Sequence, residues 1–194
     1  MQSPIPGEVE GKRYAIEAVI EQIKAGDKQA YRVIIIQFER QMYTYCYYIL
    51  KNHAETQDAV QEIFIRTYEN IVQYSRQVSF SAWLYKIAYH HLIHMKKKQS
   101  RQLKLAEHNK EKQPVLQIFQ HESVVYELLT YLTTEERHIL LLKAAAQFTF
   151  DEISEIMDLT SVTVRIKYER LRRRLMELVS QTEEVTQATL AEAN

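Results

Sequence analysis

Glycine and proline are scarce, three of each in 194 residues, too few for a loop-rich β protein, so the expected class is all-α. There is one cysteine, Cys46. A single thiol offers no intramolecular disulfide and no paired-cysteine metal clamp, which fits a reducing cytoplasm. In its apolar helical context Cys46 reads as a small core residue. No apolar run approaches the ~20 residues that span a bilayer. The opening MQSPIPGEVEGKR lacks the basic-then-apolar order of a signal peptide, so a cytoplasmic protein is expected. The motifs GxxxxGK, HExxH, CxxC and GxSxG are missing, which argues against an enzyme and leaves no cofactor, metal or small-molecule substrate to expect. Net charge is also missing: 25 basic residues balance 25 acidic ones. That excludes a protein that coats nucleic acid indiscriminately, but not one that binds it at chosen places, because the charge is segregated. Residues 94–112 hold seven Lys and Arg against two acids, and residues 165–174 hold six against one.

What is present is helix-forming sequence with clear punctuation. Residues 14–25 read as a short helix ended by Gly26-Asp27. Over residues 30–50, Ile34, Phe38, Met42, Tyr45 and Ile49 repeat at helical spacing. Asn52 to Glu55 can cap the next helix, whose stripe is Val60, Ile63, Phe64, Thr67, Tyr68 and Ile71. After a polar connection over 73–79, Ser79 can cap a helix with Phe80, Leu84, Ile87, His91 and Met95 inward. Four such helices make one bundle. A linker rich in Lys and Gln, containing Pro114, is expected over 99–122. A second domain follows, with a helix over 124–132 and a capping-box spacing, Thr133 to Glu136, opening another through Leu142. From Gln181 the tail is polar and expected to fray.

The most informative stretch is 149–175, TFDEISEIMDLTSVTVRIKYERLRRRL. Thr149 and Glu152 again have capping-box spacing. Ile153, Ile156 and Met157 give the helix one apolar face. Asp158-Leu159-Thr160 breaks it, and Thr160 or Ser161 can cap a second helix with Val164 and Tyr168 on one side and cations on the others. This is the layout of a helix-turn-helix, in which the first helix braces and the second reads base edges and phosphates.

Two longer stretches carry a family resemblance. HAETQDAVQEIFIRTYENI followed by SFSAWLYKIAYHHLIHMKKK resembles the sigma-2 domain of extracytoplasmic-function (ECF) sigma factors of bacterial RNA polymerase. YELLTYLTTEERHILLLKAAAQFTFDEISEIMDLTSVTVRIKYERLRRRL is similar to their sigma-4 domain. The resemblance implies two helical domains: 10–98, which docks on the polymerase β′ clamp helices and reads and melts the −10 element, and 123–180, which engages the −35 duplex and the β flap. The linker over 99–122 and the tail over 181–194 complete the chain. It further implies an anti-sigma factor, often membrane-anchored in that family, and no catalytic site.

Each candidate residue has a plain reading beside the one the resemblance implies. Asp58, Gln61, Glu62 and Arg66 form a polar helical face; by resemblance they contact the clamp helices, around apolar anchors such as Ile63 or Ile65. Tyr74, Arg76 and Gln77 are loop residues; by resemblance their loop pockets a flipped −10 base, with Tyr74 stacking and Arg76 and Gln77 bonding. Trp83 reads as core or half-buried packing, or else as an aromatic beside the melted strand. Tyr89, His90 and His94 depart from the Arg-Asn and Asp usual in the family. The two histidines are four apart, a metal-ligand spacing without a third strong ligand. Lys96, Lys97 and Lys98, with Arg101, are either a solubilising run or phosphate contacts. In the last helix Thr163, Arg165, Ile166 and Lys167 occupy the first turns, with Arg165 and Lys167 expected at or near bases. Arg170, Arg173 and Arg174 are expected on phosphates. The alternative function is a conventional helix-turn-helix regulator acting without core polymerase; the DAVQEIFIRTY helix argues against it.

Overall fold

The computed structural model describes residues 6–107, 129 and 131–192, with side chains placed over 15–101, 129 and 131–177. Every regular element among them is helical. The chain divides into two compact units, broadly residues 1–117 and 118–194.

In the first unit, α1 spans Pro6–Lys24, starting earlier than the expected residue 14, with proline at the first helical position where its missing N–H costs nothing. Gly26 ends the turn at φ 106, a value open to glycine at no steric cost. The Asp27 carboxylate then caps a short 3-10 turn, Lys28–Ala30, accepting from Gln29 N at 2.9 Å and Ala30 N at 3.3 Å. Helix α2, Tyr31–Leu50, ends on Lys51 in the left-handed conformation, φ 58. One residue later Asn52 caps α3, His53–Asn70, its side chain accepting from Glu55 N at 3.1 Å. The cap at residues 52–55 is where the sequence places it.

Helix α2 is the central one, packing against α1, α3 and α4. Its stripe of Ile34, Phe38, Met42, Tyr45 and Ile49 is buried throughout. Each large apolar side chain withdrawn from water contributes about 1.5–3 kcal/mol. Polar groups caught inside are satisfied locally: the Thr67 hydroxyl donates to Ile63 O at 2.7 Å, and the Tyr31 hydroxyl crosses to Phe64 O at 2.7 Å. Cys46 is fully buried, and burial pushes its thiol up to about 12, so it is inert packing. Of the clustered tyrosines, Tyr45 is buried against Tyr85, ring centroids 5.0 Å apart. Tyr43 and Tyr47 are half-buried and stack on His53.

Helix α4, Phe80–Glu107, starts where Ser79 Oγ accepts from Ala82 N at 3.3 Å. Its fully buried set is Leu84, Ala88 and Leu92, whereas Ile87, His91 and Met95 are half-buried. The inner stripe is thus turned by about one position from the expected one. The helix also runs nine residues past the expected end at 98, through residues that are good helix formers with no glycine or proline among them. The rest of the expected linker, 108–122, and six of the nine residues of the expected helix over 124–132 lie outside the described residues; Leu129 and Leu132 are buried.

In the second unit, α5 spans Thr134–Leu140 and opens with the full capping box of Thr133 and Glu136. It stops short of Leu142 because the chain widens into a π turn, Leu141–Ala145, that leaves both Leu141 and Leu142 buried. Gln147 turns the chain at φ 61. A second capping box, Thr149 and Glu152, starts α6, Phe150–Met157. Ile153, Ile156 and Met157 are buried, as the pattern requires. Asp158 closes α6 in the left-handed conformation, φ 52, which a short polar side chain tolerates. Helix α7 runs Ser161–Glu192, well beyond residue 180, and buries Val164 and Leu171.

Candidate nucleic-acid and polymerase interface

The outer face of α3 is a ridge. Positions 58, 61, 62, 65 and 66 recur at helical spacing, and Asp58, Gln61, Ile65 and Arg66 are all exposed. On one side Gln61 and Ile65 line a groove of about 720 Å³ between α2 and α3, floored by Tyr31, Val60 and Phe64. On the other, Glu62 and Arg66 line a groove of about 640 Å³ shared with α4. Ile65 is 44 % exposed while Ile63 is fully buried. Of the two expected apolar anchors only Ile65 is available; Ile63 points into the core. Arg66 Nε and Glu62 Oε1 lie 2.7 Å apart, so these two present a matched pair rather than two separate charges.

The second groove joins the ridge to the residues expected to handle the −10 strand. Trp83, Lys86, His90, His91 and His94 line its α4 side. Trp83 is half-buried, leaning on Tyr74 and Phe80 with centroids 5.4 and 5.7 Å away, as its packing reading expects. Burial, with Arg66 beside it, pushes the His91 imidazole below its usual range against the pull of Glu62. Among the described residues no group of three metal-donor side chains converges. Tyr89 is half-buried and meets the exposed His90 edge-on at 5.3 Å. Lys97 and Lys98 are exposed, and Lys96 donates to Gln99 at 3.2 Å.

The loop over 74–79 departs from its sequence reading at Tyr74. Its ring is buried against Phe80 and Trp83, and its hydroxyl donates to Val78 O at 3.0 Å. It holds the loop and offers no face to a base in this conformation. Arg76 is exposed but not idle: it meets Glu17 at 3.2 Å and Glu21 at 3.3 Å, both on α1. Gln77 is exposed.

In the second unit α7 begins where Thr160 Oγ1 accepts from Thr163 N at 3.2 Å. The Thr163 hydroxyl lies 2.7 Å from that of Thr160, so its first engagement is the cap, not a base. Arg165 is exposed with its guanidinium 5.4 Å over the Phe150 ring, and Ile166, Arg170 and Arg173 are exposed. Two expected contacts are committed elsewhere. Lys167 Nζ lies 2.8 Å from Glu135, and Arg174 lies 2.9 Å from Glu136. Burial works against ionisation of Glu136, yet Arg174 and the Thr133 N–H and hydroxyl hold its carboxyl below the usual range. The reason is placement: the first turn of α5, acidic because it is a helix N-terminus, packs against α7. One residue absent from the sequence reading belongs to the face. Val162 is 67 % exposed, one turn before Arg165 and Ile166, so its methyls share their surface. Its spacing from Arg165 is the signal that marks it.

Comparison with known proteins gives these surfaces a family. Residues 34–102 match the model "Sigma-70 region 2" and residues 123–175 match "Sigma-70, region 4". The chain is 41 % identical over 73 residues to the ECF RNA polymerase sigma factor SigW of Bacillus subtilis, a match covering 38 % of this chain and 39 % of that one. Along more of its length, 80 % of this chain and 90 % of the relative, it is 23 % identical to the ECF RNA polymerase sigma-E factor of Haemophilus influenzae. The chain belongs to the ECF sigma factors. Its fold is that of two solved structures. CnrH in complex with the cytosolic domain of CnrY has a TM-score of 0.64 at 18 % identity, covering 84 % of this chain and 96 % of that one. The sigma factor RpoE bound to the anti-sigma factor NepR from Bartonella quintana has a TM-score of 0.65 at 17 % identity, covering 77 % and 96 %. In this sigma factor the α3 ridge and the loop over 74–79 fall within region 2, and α5, α6 and α7 as far as residue 175 fall within region 4.

Proposed function

We propose that this sigma factor binds core RNA polymerase through the α3 ridge and directs initiation at promoters whose −10 and −35 elements its two units read. The observation that carries the reading is the pairing on one chain, in order, of a region 2 bundle with an exposed polar ridge and a region 4 helix-turn-helix. A regulator acting without polymerase has no use for the first. Ile65 is the apolar anchor of the ridge, ringed by Asp58, Gln61 and the Glu62–Arg66 pair, which matches the hydrophobic-centre, charged-rim pattern of protein interfaces. The β′ clamp helices are its partner there, and the second unit meets the β flap.

At the −10 element the loop over 74–79, with Gln77 at its surface and Trp83 behind it, receives an extruded base. Lys97 and Lys98 follow the strand by its phosphates. At the −35 element Val162, Arg165 and Ile166 face the major groove, where Arg pairs with guanine and apolar side chains meet the thymine methyl. Arg170 and Arg173 take phosphates. The protein performs no catalysis, works in the cytoplasm, and is held inactive by an anti-sigma factor; a membrane-anchored inhibitor would couple it to an envelope or stress signal. No described helix is long and apolar enough to cross a membrane.

Run-off transcription with purified core polymerase on a pool of genomic promoter fragments tests this. Start sites should appear only with the protein and vanish in the Asp58→Lys/Glu62→Lys variant. Duplex binding without any initiation would mean a conventional regulator instead.

A further inference from the structure

Helix α1 reaches the loop over 74–79 at two points by two kinds of contact. Lys24 Nζ donates to the Tyr74 carbonyl at 2.9 Å and sits 5.7 Å over the Tyr74 ring. One turn and two turns earlier, Glu21 and Glu17 face Arg76 from 3.3 and 3.2 Å. The Glu17 side chain is only 14 % exposed, against 58 % for Arg76. Glu17 is thus the inner carboxylate, while Glu21, 55 % exposed, and Arg76 lie at the surface. Glu17 and Glu21 are four apart, hence on one face, and Lys24 follows at a further three. A single side of α1 carries all three groups.

Two carboxylates meet the Arg76 guanidinium, and the Lys24 ammonium lies on the same side of the helix, so the charge of Arg76 is already engaged at the mouth of the loop. A DNA phosphate approaching Arg76 must displace the carboxylates that already hold it. A base entering the loop carries no such penalty.

We propose that Glu17 and Glu21 act as a clasp on Arg76, suppressing phosphate-driven binding at the loop so that its engagement depends on the base it receives. They are positioning residues that act through Arg76. Lys24 anchors the loop's first residue so that the clasp closes on one conformation. This rests on the reading of the loop as the −10 contact, and it deepens that reading by naming what makes the contact selective.

The test titrates the full-length chain with fluorescein-labelled 12-nucleotide single strands of random sequence and sequences the bound fraction. The Glu17→Gln/Glu21→Gln variant should bind the pool about two- to fivefold more tightly. Its bound fraction should be less enriched in sequence, and its log–log salt slope steeper by about 0.7, one added phosphate contact to a single strand. In an Arg76→Ala background the same pair of changes should do nothing. A fold-supporting role alone would leave the salt slope unmoved, and unchanged or weaker binding with the wild-type slope overturns the clasp. Tighter binding that persists without Arg76 also overturns it, as plain charge removal. If Arg76→Ala has no effect even when Glu17 and Glu21 are neutral, the loop is not the DNA contact and the underlying reading fails first.

Discussion

The two units engage the cations proposed to meet DNA by the same means, an ion pair with nearby acids, and assemble that engagement by different routes. In the first, Arg76 is held by Glu17 and Glu21, acids more than fifty residues away along the chain. In the second, Lys167 and Arg174 are held by Glu135 and Glu136, acids that are there because a helix N-terminus favours them. In the second unit one residue, Glu136, completes a capping box and restrains a cation. In the first unit capping and restraint are separate. The comparison teaches that a count of basic residues overstates the charge available to DNA: in each unit part of it is already neutralised within the unit, while Arg165, Arg170 and Arg173 remain outward.

The largest effect should come from the face of α3, where core and interface lie two residues apart. Ile63→Ala should cost about 2–5 kcal/mol in denaturant unfolding, as loss of a fully buried large side chain does. Ile65→Ala should change stability little and weaken core polymerase binding. Equal destabilisation by both would erase the ridge.

Next is a difference in acid sensitivity. His138 in α5 is fully buried, and burial, with Arg137 nearby, pushes its imidazole down from 6.5 to about 3. The folded chain thus refuses a proton that the unfolded chain accepts below about 6.5. The stability this group protects is present above that value and is lost as pH falls through it toward 3. Urea unfolding should show a loss of about 1–2 kcal/mol from this group between about pH 7 and about pH 5. The pH slope should flatten in His138→Gln. In the first unit His91 is only half-buried, so His91→Gln should change that slope less.

A smaller effect should follow from releasing the second unit's cations. Glu136→Gln keeps the capping box, since Gln serves at that position, but frees Arg174; Glu135→Gln frees Lys167. Each should tighten duplex binding by about two- to fivefold with a steeper salt dependence, and weaker binding would mean that the pairs brace α7 instead. The smallest effect is Lys97→Ala, about a two- to threefold loss spread evenly over promoters. A loss confined to some sequences would make Lys97 a reader.

The second unit was the more legible in sequence. Two capping boxes, the break at Asp158 and the apolar positions of α6 are local patterns, and each falls where the spacing puts it. The stripes of α2 and α3 were equally plain. What escaped was tertiary. The burial of Tyr74 depends on Phe80 and Trp83 closing over it, and the engagement of Arg76 depends on a helix some fifty residues earlier. The pairing of Lys167 and Arg174 depends on α5 lying beside α7. Spacing cannot report any of these, because the partners meet across a loop or between helices rather than along one face of one helix. The π turn after Leu140 escaped for a different reason: its hydrogen bonds trade a regular helix for the burial of both Leu141 and Leu142, and apolar periodicity does not distinguish the two.

The most direct measurement is transcription by the reconstituted holoenzyme from a library randomised across both promoter elements, with transcripts sequenced. Arg165→Ala should lose about 1–3 kcal/mol of discrimination at the −35 positions and leave the −10 preference intact. Gln77→Ala, in the loop proposed to receive the base, should do the reverse. Loss of both preferences together in either variant would contradict the division of reading between the two units.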